Sequence, residues 1–205
     1  MQSKINRLEI NKNILNAAIT EFSQHGYIGA STQAIARRAG LAKSQLHYYI
    51  GSKEALYQRV LGTLFEAWGE IFEFDSQKSS SPADIISHYI DLKLNFALQN
   101  KELSRIFTVE IISGGKSLSQ FWPDAMVRMS SNIEVINGWI KEEKIRALDG
   151  RLLMMNIWAL TQYYADYALQ AEVILEGSLE DPVLQEKVRK ELNDLILLGC
   201  GLTPP

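Results

Sequence analysis

Apolar residues recur every three to four positions along almost the whole chain, and the alternating β-branched runs that strands require are missing, so the chain is predicted to be all-α. About nine helices follow from that spacing. Residues 8–25 place Ile14, Leu15, Ala18, Ile19 and Phe22 on one face and stop at Gly26, where glycine can leave the helical conformation at no steric cost. Two short segments come next, 33–39 with Thr32 as its cap and 43–49 with Lys43 and Ser44 in its first turn. A long helix capped by Ser52 starts at Lys53 and continues to about Phe74, and the polar stretch DSQKSSSP at 75–82 reads as a surface loop. Further helices are predicted at 83–99, 101–112, 118–145, 150–177 and 181–199, separated by Gly114 and Gly115, by Asp149 and Gly150, and by the run from Gly177 to Pro182.

The short pair at 33–49 has an unusual composition. In IARRAGLAKSQLHYYIGSKEAL (35–56), Ile35, Ala36 and Ala39 form one apolar face, Gly40 suits a sharp turn, and Leu41 and Leu46 can hold the second helix against the first. Small residues at the crossing permit a steep approach, as in a helix-turn-helix. An ordinary helical hairpin has similar ingredients, and charge separates the two readings. Residues 1–60 carry eight Lys and Arg against three Glu, a net of +5, which leaves −8 on the remaining 145 residues. A basic quarter on an otherwise acidic protein is the pattern expected where one end meets phosphate.

These residues resemble the amino-terminal domain of the TetR family of bacterial transcription regulators. The resemblance is carried by AAITEFSQHGYIGAST, IARRAG, LAKSQLHYY and GSKEALY, in that order and spacing, with Ile50 and Gly51 departing from the usual pattern after the paired tyrosines. It implies a DNA-binding regulator, with residues 1–52 as a three-helix reading domain and 53–205 as a ligand-binding and dimerisation domain, joined by the long helix. In a helix-turn-helix the second helix enters the major groove. Lys43, Ser44, Gln45 and His47 are the exposed candidates on that helix, and Gln45 suits adenine. Tyr48, Tyr49 and Lys53, with Thr32 and Arg37, are candidates for the phosphate backbone; one tyrosine, or one of Arg37 and Arg38, can instead pack inward. So few groove-facing residues read only a few base pairs, so a homodimer on a near-palindromic double-stranded operator is expected.

The carboxy-terminal half contains LLMMNIWALTQYYADYALQA, apolar on more than one side. Met155, Trp158, Gln162, Asp166 and Leu169 are assigned to a pocket. Leu153, Ile157, Leu160, Tyr164 and Ala168 are assigned to a dimer seam, completed by Val188, Leu192, Leu195, Ile196 and Gly199, with a plain monomer core as the alternative. Polar residues on apolar faces mark the pocket: Lys93 between Tyr89 and Phe96, Glu110 after Leu103, Ile106 and Phe107, and Gln162 and Asp166 beside Trp158. Trp68 and Phe72 can reach the same cavity. Aromatic walls with a few amide, carboxylate and ammonium groups suit a small planar effector; an internal Lys93–Glu110 ion pair is the competing reading.

This half is similar to the RutR-like, pyrimidine-utilisation branch of the family, through SKEALY, EAW, YIDLKL, SRIF, GWIKEEKI and IWALTQYYADYALQ. The resemblance implies an effector such as uracil or thymine, with Trp68, Lys93, Trp158 and Gln162 at or near it. A family member controlling efflux would instead take a larger apolar effector. Outside the family, the remaining readings are an all-α adaptor or a small enzyme. His25, His47 and His88 are scattered, no Ser-His-Asp, Cys-His or metal-ligand spacing occurs, and neither catalysis, a metal nor a cofactor is expected. A single Cys200, no apolar run of membrane-spanning length and no export-type amino terminus lead to an expectation of cytoplasmic residence, away from membranes.

Overall fold

Buried side chains at Ile14, Ala17, Ala18 and Phe22 give the first helix the inward stripe that its sequence promised. The computed structural model describes residues 2–71, 74 and 81–204, and every regular element among them is helical. They are α1 (Gln2–Gly29), α2 (Thr32–Arg38), α3 (Lys43–Ile50), α4 (Lys53–Ile71), α5 (Pro82–Gln99), α6 (Lys101–Ile112), α7 (Trp122–Lys141), α8 (Gly150–Asp166), α9 (Ala168–Ile174) and α10 (Pro182–Gly199), with a 3-10 turn at Lys116–Leu118. The predicted surface loop at 75–82 falls outside the described residues through position 80.

Two compact units result. The first contains Met1–Glu66 and Glu102–Phe121, the second Ala67–Lys101 and Trp122–Pro205. Helix α4 therefore contributes to both. In the first unit α1 packs on α2 and α2 on α3. The second is built around α5, which packs on α8 and α10 through Ile86, Tyr89, Ile90 and Leu94 against Met154, Ile157, Leu192 and Leu197. Phe74 joins this core, its N–H donating to Asn132 Oδ1 at 3.1 Å and its ring stacked 5.7 Å from Trp139.

Several boundaries differ from the predicted ones. Ser31, not Thr32, caps α2: it has extended backbone and its Oγ accepts the Ala34 N–H at 3.4 Å, while Thr32 is already helical. The segment predicted as one helix over 118–145 is a 3-10 turn followed by α7, which ends at Lys141. Glu143 there takes a φ of +56°, and the Lys144 N–H donates to the Trp139 carbonyl at 2.9 Å. That is a Schellman closure with glutamate where glycine is usual, so no glycine announces it. The helix predicted over 150–177 divides at Tyr167 into α8 and α9, with neither glycine nor proline at the break.

The expected assignments along α8 are met only in part. Leu153 and Ile157, assigned to a dimer seam, lie in the core of the second unit with Val188, Leu192 and Ile196, and Leu160, Tyr164 and Ala168 pack against it. Met155 and Leu169, assigned to a pocket, are exposed. Of the face expected to meet a second subunit, Leu153 and Ile157 are instead covered within the same chain, while Leu195 and Gly199 stay exposed.

Candidate functional site

The turn between α2 and α3 explains how one helix can be presented to a groove. Gly40 sits at φ +70°, its N–H donates to the Arg37 carbonyl at 3.2 Å, and the Leu41 N–H donates to the Ala36 carbonyl at 2.9 Å. This closes α2 in two bonds and reverses the chain within three residues. A side chain at position 40 would force an L-residue into left-handed backbone. Ile35 and Ala36 from α2 and Leu46 and Ile50 from α3 are buried, so the opposite side of α3 is left outward.

That outward side carries Lys43, Ser44, Gln45, His47 and Tyr48, all exposed, Tyr48 to 80%. Tyr49 is half-buried, its ring edge-on to Tyr48 at 5.5 Å. Gln45 Oε1 accepts the Ala42 N–H at 2.9 Å and so caps its own helix. Arg37 points outward, whereas Arg38 turns to the buried Glu21 carboxylate at 3.7 Å and to Gln24. Thr32 is half-buried in the first turn of α2. The ammonium of Lys53 faces inward: it donates to the carbonyls of Ala30 at 2.9 Å and Ile28 at 3.3 Å and lies 4.9 Å over the Tyr27 ring. In this geometry it clasps the segment leading into α2. Nothing in the spacing of the sequence joins Lys53 to a carbonyl more than twenty residues earlier.

In the second unit the structure brings Trp68 and Lys93 together. Both are buried, and the Lys93 ammonium lies 4.6 Å from the centre of the Trp68 ring, with Phe96 edge-on to the same indole at 6.3 Å. Burial pulls the Lys93 pKa down to about 7. One turn before it on α5, the Tyr89 hydroxyl accepts from Trp158 Nε1 at 2.6 Å, and burial raises the phenol above its ordinary range. Gln162 Nε2 donates to Asp166 Oδ1 at 3.0 Å along α8. Tyr89 and Phe96, which the sequence reading used only as flanks of Lys93, are thus direct neighbours of Trp158 and Trp68. Phe72 lies outside the described residues. Glu110 belongs to the first unit, where its oxygens accept from the Tyr57 hydroxyl at 3.0 Å and the Ser117 N–H at 2.7 Å.

The described part of the chain contains no helix long and apolar enough to cross a membrane. Two known families match successive parts of the chain. Residues 14–60 match the family described as bacterial regulatory proteins, tetR family, and residues 61–203 match the one described as YcdC-like protein, C-terminal region. The HTH-type transcriptional regulator RutR of Escherichia coli strain K12 is 34% identical over 190 residues, 92% of this chain and 89% of that protein. Two solved structures share the fold at lower identity. AibR in complex with isovaleryl coenzyme A and operator DNA aligns with a TM-score of 0.74 and 16% identity over 96% of this chain and 99% of that one. The TetR family transcriptional regulator PfmR from Thermus thermophilus aligns with a TM-score of 0.67 and 18% identity, over 90% of this chain and 97% of that one.

Proposed function

The chain belongs to the TetR family of bacterial regulatory proteins, and on that premise we propose that it is a cytoplasmic, ligand-responsive repressor that binds a near-palindromic operator as a homodimer and releases it when a small planar effector binds. The observation that carries the DNA-binding part is the outward face of α3, an unbroken polar and aromatic surface held out by a turn that glycine alone closes without strain. Lys43, Ser44 and His47 read or grip the groove. Tyr48 and Arg37 take backbone phosphates, and Tyr49, Thr32 and Gln45 complete the surface. Lys53 supports it from behind.

The effector is a pyrimidine, uracil or thymine. This is supported by the likeness to RutR over nearly the whole chain and by the aromatic and polar groups around Lys93. Trp68 offers a flat wall, Gln162 a donor–acceptor edge, Asp166 an acceptor and Lys93 a cation. Two reading heads bound one turn apart, roughly 34–36 Å, dissociate when the effector favours a different arrangement by a few kcal/mol.

An operator selected from random-sequence duplexes provides the test. In a fluorescence-anisotropy titration the protein should bind it with a steep salt dependence, and Lys43→Ala should weaken binding by about 1–3 kcal/mol. Micromolar uracil or thymine should release the DNA. Gln162→Ala should bind the operator normally and ignore both pyrimidines. An effector response that survives in Gln162→Ala removes that residue from the site, and no response to either base at millimolar concentration removes the pyrimidine.

A further inference from the structure

Helix α6 is distant in sequence from the reading helices yet belongs to their unit, and two carboxylates attach it there. Glu102, at its start, accepts from the hydroxyls of Thr20 at 3.3 Å and Ser23 at 3.4 Å on α1. Glu110, near its end, is buried and accepts from the Tyr57 hydroxyl on α4. The Tyr57 ring packs edge-on to Phe22 at 4.8 Å and against Tyr27 at 4.9 Å, and the Tyr27 ring lies beneath the Lys53 ammonium. Lys53 in turn holds the carbonyls of Ile28 and Ala30, immediately before the α2 cap. The chain of contacts thus runs from α6 to the first residue of the reading pair without a gap.

The segment it reaches is a distinct turn. Gly26 breaks α1 at φ +64°, so residues 27–30 form a separate turn between that break and Ser31. The Ser31 N–H is held by Glu21 Oε1 at 3.1 Å, and the Ala30 N–H by the Gly26 carbonyl at 3.1 Å. Their exchange with solvent reports directly on whether this turn is seated.

We infer that Glu110 is a positioning residue for DNA reading: through Tyr57, Tyr27 and Lys53 it seats the 27–30 turn and thereby sets where α2 and α3 begin. The residue acts on α2 from α6, which follows α5 after the single non-helical Asn100, and α5 carries Lys93. The consequence for DNA binding rests on the regulator reading above; the structural part does not.

Residue-resolved amide exchange on the full chain tests it. In Glu110→Gln the Ala30 and Ser31 amides should exchange about tenfold faster, because the neutral amide weakens the charge-assisted acceptance from the Tyr57 hydroxyl and leaves a single acceptor oxygen for it and the Ser117 N–H, while Leu46 and Ile50 in α3 keep their protection. Lys53→Met should do the same, and the double variant should exchange no faster than Lys53→Met alone, because both cuts lie on one path. If Glu110→Gln does not fold, Tyr57→Phe removes only the hydroxyl, keeps the ring contacts with Phe22 and Tyr27, and should show the same tenfold rise. Unchanged Ala30 and Ser31 amides, a uniform rise across the unit, or effects that multiply in the double variant would each overturn the inference. Operator affinity should fall several-fold in the same variants. A normal affinity alongside faster exchange would overturn the positioning role in DNA reading, whereas failure of the unaltered protein to bind any operator would count against the regulator reading and leave the exchange result standing.

Discussion

Replacing Lys93 with methionine should raise the stability of the protein at neutral pH by roughly 2–4 kcal/mol, and the gain should shrink as pH rises. The residue is only 6% exposed, and burial lowers its pKa from 10.5 to about 7. In the unfolded chain this lysine keeps its proton up to the ordinary value, so between pH 7 and 10.5 the unfolded state binds more protons than the native one. Stability from this group therefore increases with pH across that window, and the penalty is largest and constant below about pH 7. The whole displacement corresponds to roughly 5 kcal/mol at about 1.4 kcal/mol per tenfold, and the Trp68 ring offsets part of it by about 1–2 kcal/mol. Methionine has a similar length and fills the same space without charge. Urea unfolding of both proteins at about pH 6.5, 8 and 9.5, spanning the window of differential protonation, would measure the difference. An equal gain at all three would mean that the amine does not titrate in this window. A buried cation that costs stability is consistent with a role in binding, and the same variant should lose its response to effector.

The second large effect is expected at the exposed side of α8 and α10. Leu152, Met155, Leu195 and Leu198 are 53–63% exposed, and Leu152 and Leu195 line a groove of about 530 Å³ together with small or apolar residues including Ala159, Ile196 and Gly199. Arg146, Asp149 and Asn156 line its edge, and exposed apolar residues around a groove with polar neighbours are the composition of an interface. This groove, which Leu153, Leu160, Leu195, Ile196 and Gly199 of the expected seam also line, is the surface proposed for the homodimer. Leu195→Lys with Leu198→Lys should give a monomer in sedimentation velocity at micromolar concentration, with helix content retained. Operator affinity should drop by about a thousandfold or more, towards the non-specific level, because one reading head then binds alone. A dimer that survives both lysines would move the interface elsewhere, for instance to the exposed Leu169, Val173 and Ile174 on α9.

Much of the fold was legible because it is locally encoded. The stripe of Ile14, Ala18 and Phe22, the turn at Gly40 and the capping Ser52, whose Oγ accepts the Ala55 N–H at 3.0 Å, each depend on residues within one or two helical turns. The ends of α7 and α9 were not legible, because Glu143 and Glu176 occupy left-handed backbone that periodicity attributes to glycine. Among the candidate residues, those on α3 follow from the burial of Leu46 and Ile50, which leaves the other side outward. Lys53 did not follow, since its clasp spans more than twenty residues.

By itself, then, the sequence determined an all-helical chain whose basic amino-terminal quarter contains a glycine-closed helix pair, because helix periodicity, turn chemistry and net charge are properties of neighbours along the chain. The tertiary structure alone decided which flank of α8 is core and which is surface, that α6 joins the reading unit through Glu102 and Glu110, and that Lys93 meets Trp68 face to face. Those outcomes depend on which distant helix covers a given face, and an apolar stripe has the same composition whether it is covered by its own chain or by another.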